Sequence, residues 1–219
     1  MIIIKGLKKE FRKSGKAIPV LDGIDLTVSK GEWLTVTGKS GAGKSTLLYT
    51  IAGLLRPTSG SVSVNGTDLF SLPGGTLTRF RGANLGIIFQ SFHLFPQLTV
   101  LQNVLVSGGR LHSNSAEAEA LLDKMGLLAR KSHYPSELSV GEKQRTALAR
   151  AVFCKPACLL ADEPTGNLDQ ENGATVMETL KSFNCAGATV VFVTHKPLRE
   201  CEPFSNRILS LDRGKLQTL

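Results

Sequence analysis

The 219-residue chain carries a formal net charge of +8, with 42% hydrophobic and 20% charged residues. That is an ordinary globular composition, long enough to bury a core as one sizeable domain. No run approaches the ~18 consecutive apolar residues of a membrane span, and Met1 to Lys5 is too short for a signal peptide, so the expectation is a cytosolic chain that reaches a membrane only through a partner.

The four cysteines, Cys154, Cys158, Cys185 and Cys201, fit no zinc spacing and read as reduced thiols. Much of the positive charge lies in Lys5, Lys8, Lys9, Arg12, Lys13 and Lys16, with more around Arg145 and Arg150. It suits nucleic acid or an anionic membrane face, and equally a solvated basic surface; charge alone decides nothing.

The first third of the chain reads as strands. Ile24, Leu26 and Val28 alternate with Asp25 and Thr27, the period of a half-buried antiparallel strand. Val62 and Val64 alternate likewise and run into Asn65-Gly66, a tight hairpin signal. Phe11, on the approach to Ile24, is either a face on which a base stacks or a plug at a core edge.

Between these strands, Trp33 to Thr37 forms a short apolar strand, and Leu47, Leu48, Ile51, Leu54 and Leu55 recur at helical spacing. They flank Gly38-Lys39-Ser40-Gly41-Ala42-Gly43-Lys44-Ser45-Thr46, which matches the phosphate-cradling pattern G-x-x-x-x-G-K-[ST]. Glycines at 38, 41 and 43 let the backbone turn its N–H groups inward as an anion nest at a helix N-terminus. Lys44 adds a point charge for the outer phosphates, and the Ser45 hydroxyl can join a Mg²⁺ shell. The stretch predicts binding of a nucleoside triphosphate.

Leu85 to Phe89 reads as a buried strand ending in Gln90, followed by an aromatic loop, Ser91 to Pro96. Residues from about Leu98 to Ala151 read as mostly helical; Asn114 is a cap candidate for a helix with Ala118, Leu121, Leu122 and Met125 on one face. Ser139 with Glu142 three residues on is a capping box, and the same helix start, with the Gly141 backbone, is open to an anion. Ala157 to Ala161 is an apolar strand that delivers Asp162 and Glu163, two carboxylates that are costly unless they meet a cation or proton donor. Consecutive strand residues point to opposite sides, so Asp162 is assigned to Mg²⁺ and Glu163 to polarising a water.

A polar loop, Thr165-Gly166-Asn167-Leu168-Asp169, precedes a helix carrying Val176, Leu180 and Phe183. Thr189 to Thr194 is another buried strand, with His195 at its carboxyl end, and Arg207 to Leu216 closes with a hairpin. A lone histidine is usually structural, but ligands of α/β sheets lie beyond such strand ends. The expected fold is α/β: a P-loop core on a mostly parallel sheet, with an antiparallel β subdomain and an inserted helical subdomain. The expected organisation is one domain over 1–219, divided into a P-loop half (1–90), the helical subdomain (91–151) and a closing half (152–219).

Taken together, these motifs resemble the ATP-binding cassette ATPases, the nucleotide-binding subunits of ABC transporters, over essentially the whole chain. Gly38 to Thr46 matches the P-loop, Gln90 the Q-loop glutamine, Leu138-Ser139-Val140-Gly141-Glu142 the signature, and Leu159 to Asp162 the Walker B strand. Glu163 matches the catalytic glutamate, Asp169 the D-loop aspartate and His195 the switch histidine, while Phe11 stands where the family has its adenine-stacking aromatic. The resemblance implies ATP and Mg²⁺ as ligands, with Glu163, His195, Gln90 and Lys44 catalytic and Ser45, Gln90 and Asp162 toward the metal. It implies a head-to-tail homodimer in which Ser139, Gly141 and Asp169 of one chain complete the ATP site of the other. It also implies integral membrane permease subunits docked near Gln90, with Phe92, Leu94 and Phe95 as candidate contacts, on the cytoplasmic face of the membrane.

The signature departs from the family's usual L-S-G-G-Q: Val140 replaces a glycine and Glu142 the glutamine. A negative charge at a phosphate-facing helix end would oppose ATP, unless Glu142 turns back as a cap. The nucleic-acid relatives either split the cassette with a long coiled coil or carry two cassettes, and this chain does neither, so no nucleic-acid partner is expected. A non-hydrolysing regulatory subunit is the other alternative; Glu163 and His195 argue against it. The runs around Phe89 to Pro96 and Asp162 to Asp169 look most like the branch of lipoprotein-releasing, macrolide-exporting and cell-division ATPases.

Overall fold

The computed structural model describes residues 1–108, 115–166 and 168–218; Asn114, the cap candidate, and Asn167 of the polar loop lie outside them. The strands are β1 (Ile2–Lys13), β2 (Lys16–Val28), β3 (Trp33–Thr37), β4 (Ser59–Val64), β5 (Thr67–Asp68), β6 (Leu85–Ile88), β7 (Cys158–Asp162), β8 (Thr189–Thr194), β9 (Arg207–Asp212) and β10 (Lys215–Thr218). The helices are α1 (Lys44–Ile51), α2 (Gly74–Asn84), α3 (Val100–Leu105), α4 (Ser115–Lys124), α5 (Val140–Val152), α6 (Gln170–Cys185) and α7 (Leu198–Cys201).

Two sheets organise these elements. A four-stranded antiparallel sheet runs β2-β1-β4-β5, and a six-stranded sheet runs β10-β9-β3-β8-β7-β6. In the larger sheet β9, β3, β8, β7 and β6 are parallel, and only β10 is antiparallel to its neighbour. The hairpin signals are real: Asn65 and Gly66 both have positive φ between β4 and β5, as do Arg213 and Gly214 between β9 and β10.

The period of two sorts residues between the faces. Leu34, Val36, Leu160, Val191 and Val193 pack with Ile2, Ile4, Leu47 and Ile51 on the side of α1 and the smaller sheet. Trp33, Leu159, Ala161, Val190 and Phe192 face the other way, onto Val100, Val104, Leu148 and Val176 of the helices. Trp33 and Phe192 are fully enclosed, their ring centroids 6.0 Å apart, and truncating either to Ala would cost about 3–5 kcal/mol.

One element, between the strands of the first third and β6, has no counterpart in the sequence reading. Gly74–Asn84 is a helix, α2, none of whose residues is fully buried; only Leu77 and Phe80 lean on the core. Its glycines are poor helix formers and its apolar stripe is thin, so neither propensity nor periodicity marks it. Among the described residues no helix is long and apolar enough to cross a membrane.

Candidate functional site

The parallel strands β3, β7 and β8 end together: Thr37 lies opposite Thr194, and Asp162 opposite Val193. Their carboxyl ends therefore bring Gly38, Glu163 and His195 to one edge, the position where open α/β sheets bind ligands. A cavity of about 520 Å³ opens there, lined by Val20, Ser40, Gly41, Gly43, Lys44, Ser45, Thr46, Gln90, Glu163 and His195.

The loop's shape depends on glycine for reasons inside the chain as well as toward a ligand. Gly43 has φ +102°, and a Cβ there would sit 2.9 Å from Val20 Cγ1 and 3.0 Å from Val20 O. Gly38 backs onto the Leu211 carbonyl oxygen at 2.5 Å by the same measure. Strands β2 and β9 thus press on the loop from outside.

Within the loop, the buried Lys44 ammonium donates to Gly38 O at 2.8 Å and Lys39 O at 3.1 Å, and lies 3.8 Å from Glu163 Oε1. Its charge is held over the centre of the loop. Ser45 Oγ donates to Asp162 Oδ1 at 3.0 Å, and Asp162 is 1% exposed. Burial first, and then the Asp162 carboxylate, push the nearby Tyr49 phenol above its usual range.

Asp162 and Glu163 do separate, but not by strand alternation. The strand ends at Asp162, and Glu163 takes a left-handed backbone with φ +44°, its N–H donating to Val193 O at 2.9 Å. Such a conformation is costly for a non-glycine residue and persists where its surroundings fix it. It swings the carboxylate toward His195 Nδ1 at 2.7 Å and Gln90 Nε2 at 3.5 Å. Glu163 therefore joins Lys44, Gln90 and His195 in one cluster.

The other expected residues lie apart. Lys39 and Ala42 shape the loop without lining the cavity: Lys39 O receives Lys44, and the Ala42 N–H donates to Lys39 O at 3.1 Å. Phe11 is exposed on β1, pairs across to Ile18 and carries the Lys9 ammonium 5.1 Å over its ring; it does not line the cavity. Ser139, Gly141 and Asp169 are absent from it too and form a second cluster at the starts of α5 and α6.

In that cluster Ser139 caps α5 reciprocally with Glu142: Ser139 N donates to Glu142 Oε2 at 2.8 Å, and Glu142 N to Ser139 Oγ at 3.2 Å. Arg130 Nε completes the carboxylate at 3.0 Å. The Ser139 backbone N–H is the leading cause that holds the Glu142 carboxyl below its ordinary value of 4.5, with Arg130 helping. The acidic substitution is thus turned back and neutralised within the chain. Val140, at 47% exposed, lies on the surface beside Ser139.

A second cavity, of about 430 Å³, lies between α2, β6 and α5, lined among others by Arg81, Leu85, Phe89, His93, Phe95, Arg150 and Cys154. Of the three aromatic-loop candidates only Phe95 lines it; Phe92 and Leu94 are partly buried elsewhere. Arg150 donates to His93 O at 2.5 Å and Phe92 O at 2.7 Å, gripping two residues with φ +47° and +57°. The sequence did not single out Arg150, Arg130 or Val20 for the places they take here, lining the two cavities or holding Glu142. Arg150 registered only as charge, Arg130 carried no signal of its own, and nothing local marks a strand valine as a cavity wall.

A glycine-rich loop between a parallel strand and a helix, with a carboxylate from the end of the strand two places along the sheet on its serine, defines a P-loop nucleoside triphosphatase. The family model for the ABC transporter matches residues 21–166. The lipoprotein-releasing system ATP-binding protein LolD of Xanthomonas campestris pv. campestris (strain 8004) is 44% identical over 218 residues, spanning 97% of this chain and 90% of that protein. LolD of Geobacter metallireducens is 44% identical over 200 residues, 89% of each chain. A dimeric ATP-binding cassette in a post-hydrolysis state bound to ADP and Pi superposes with a TM-score of 0.92 at 33% identity, covering 100% of this chain and 99% of that one. A dimeric bacterial ABC transporter cassette gives 0.92 at 34%. The chain belongs to the ABC transporter family, as its ATP-binding, ATP-hydrolysing cassette.

Proposed function

We propose that this chain hydrolyses ATP as a head-to-tail homodimer that drives an integral membrane permease of the lipoprotein-releasing type. The observation that carries the reading is the Glu163 cluster: a carboxylate oriented by His195 Nδ1 at 2.7 Å, beside the loop lysine. The lipoprotein-releasing systems named for relatives 44% identical over nearly the full chain support the branch.

ATP's phosphates would lie along the N–H groups from Ser40 to Thr46, with the Lys44 ammonium turning from Gly38 O and Lys39 O to the outer phosphates. The Ser45 hydroxyl and Asp162, with Gln90 alongside, suit Mg²⁺ better than a cation caged wholly by protein: among the described residues no cluster of three His, Cys, Asp or Glu side chains could hold a metal. A site of one carboxylate and one hydroxyl that relies on phosphate oxygens for the rest is what Mg²⁺ takes. When bound, the ion offsets charge on the phosphates.

Glu163 takes the proton of the attacking water, and His195 holds the carboxylate in the orientation to do so. Phe11 is proposed as the adenine contact, its ring exposed on the surface of β1 with the Lys9 ammonium over it. Ser139, Gly141 and Asp169 stand outside their own chain's cavity, which supports their serving the site of a second copy; a two-fold axis then makes both sites alike. The groove at Phe95 takes an element of the permease, on the cytoplasmic face of the membrane, and Arg81 and Arg150 favour an acidic residue on it.

The test is Glu163→Gln. It should leave ATP affinity intact, lower turnover by about 10²–10⁴-fold, and give a dimer with ATP in gel filtration. Wild-type turnover would remove Glu163 as the base. Extraction of the tagged chain from membranes should bring down an integral membrane protein; recovery of the chain alone would overturn the permease assignment.

A further inference from the structure

Gly141 is a glycine for a reason inside its own chain. A Cβ built there would lie 2.6 Å from Asn172 Oδ1, 2.7 Å from its Cγ and 3.0 Å from its Nδ2. The amide of Asn172, on the first turn of α6, therefore rests directly against the start of α5. The same amide is fully engaged on its other sides. Its Nδ2 donates to both Asp169 oxygens, at 2.9 and 2.8 Å, its backbone N–H donates to Asp169 Oδ1 at 2.8 Å, and its Oδ1 accepts from Arg145 Nη1. Arg145 is four residues beyond Gly141, on the same face of α5. Those Asn172 bonds are also the leading cause that holds the Asp169 carboxyl below its usual range, with Arg145 adding to it.

We infer that Asn172 is a positioning residue that locks the start of α5 to Asp169, so that Ser139, Gly141 and Asp169 are presented to the second chain as one rigid unit. The inference rests on the head-to-tail reading above. Two loops that must meet one ATP together gain from a fixed separation, because a loose pair would be ordered only on closure, at the expense of dimer affinity. An amide is the side chain that can do this: it donates to a carboxylate and accepts from a guanidinium at once, with a flat face against a glycine.

The effect should therefore appear across the dimer and not in the chain that carries the change. In a Glu163→Gln background, Asn172→Ala should bind ATP as a single chain within about twofold of the parent, yet need at least about tenfold more ATP or protein to form the gel-filtration dimer. Equal dimerisation would overturn the inference. Failure of Glu163→Gln itself to dimerise with ATP would instead overturn the head-to-tail reading, and the inference with it.

Mixed dimers separate positioning from damage to the fold. With Lys44→Ala on one chain and Asn172→Ala on the other, one site keeps a wild-type P-loop facing a wild-type Asn172, so hydrolysis should persist at about half the wild-type rate or less. With both changes on one chain and a wild-type partner, the surviving P-loop faces the altered α5, and hydrolysis should fall at least about tenfold further. Measured against a dimer of Lys44→Ala with a wild-type chain that retains hydrolysis, loss in both arrangements alike would show that Asn172 merely supports folding and would overturn the inference.

Discussion

Glu142→Gln tests how the departure from the family signature is tolerated. A glutamine oxygen can still accept from Ser139 N–H, so the capping box survives; what is removed is the charge. That charge lies in the first turn of α5, where a carboxylate is worth about 0.3–1 kcal/mol against the helix dipole. It also pairs with Arg130 at 3.0 Å, between side chains 48% and 17% exposed, a contact of about 0.2–1 kcal/mol. Together the loss is about 1 kcal/mol, or a Tm lowered by about 2–4 °C for a chain of this size. The sign with pH follows from the depressed Glu142 carboxyl: its contribution is complete above the ordinary value of 4.5 and disappears as pH falls through the lower folded value. Thermal unfolding of both proteins from neutral to acid pH should therefore show a gap that is full near neutrality and closes in acid. A gap unchanged in acid, or absent near neutrality, would refute the assignment, while ATP hydrolysis should be equal to or greater than wild type.

Other consequences are as direct. Gly43→Ala sets a methyl 2.9 Å from Val20 Cγ1 on a backbone at φ +102°; strain of about 1–3 kcal/mol should appear as lower stability and weaker nucleotide binding by calorimetry. Arg150→Lys loses the forked donor that holds Phe92 O and His93 O, so limited proteolysis between Ser91 and Gln97 should accelerate, and an unchanged cleavage rate would contradict the clamp. For the thiols, burial pushes Cys158 up to about 12 and encloses Cys201, whereas Cys185 is exposed. Mild alkylation of the native protein should label Cys185 first and reach Cys158 only on unfolding, as mass spectrometry would show.

Much of this was legible in the sequence because it is local. The strands β3, β7 and β8 announce themselves as apolar runs, and the P-loop, Ser139–Glu142 and Asn65-Gly66 each carry their own spacing rule. What could not be read depends on packing between distant segments. Val20 meets Gly43, Arg130 meets Glu142 and Asn172 meets Gly141, and no periodicity relates such pairs. The separation of Asp162 from Glu163 was expected from strand alternation, but the physical cause is a left-handed residue at the strand's end. Helix α2 escaped because a helix that buries so little has little pattern to show.

The order of the larger sheet has a consequence for synthesis. Strand β3, which carries the P-loop, is flanked by β8 and β9, both late in the chain, and Gly38 packs on the Leu211 carbonyl. The loop therefore leaves the ribosome long before the strands that hold it exist. At ~5–20 residues per second that interval is roughly ten to thirty-five seconds. Through that time the nascent chain carries the sequence of an ATP site with no floor beneath it, exposing the apolar edges of β3 to any holdase within reach. Nascent chains arrested before β9 emerges should fail to retain nucleotide, although every residue of the loop has been made.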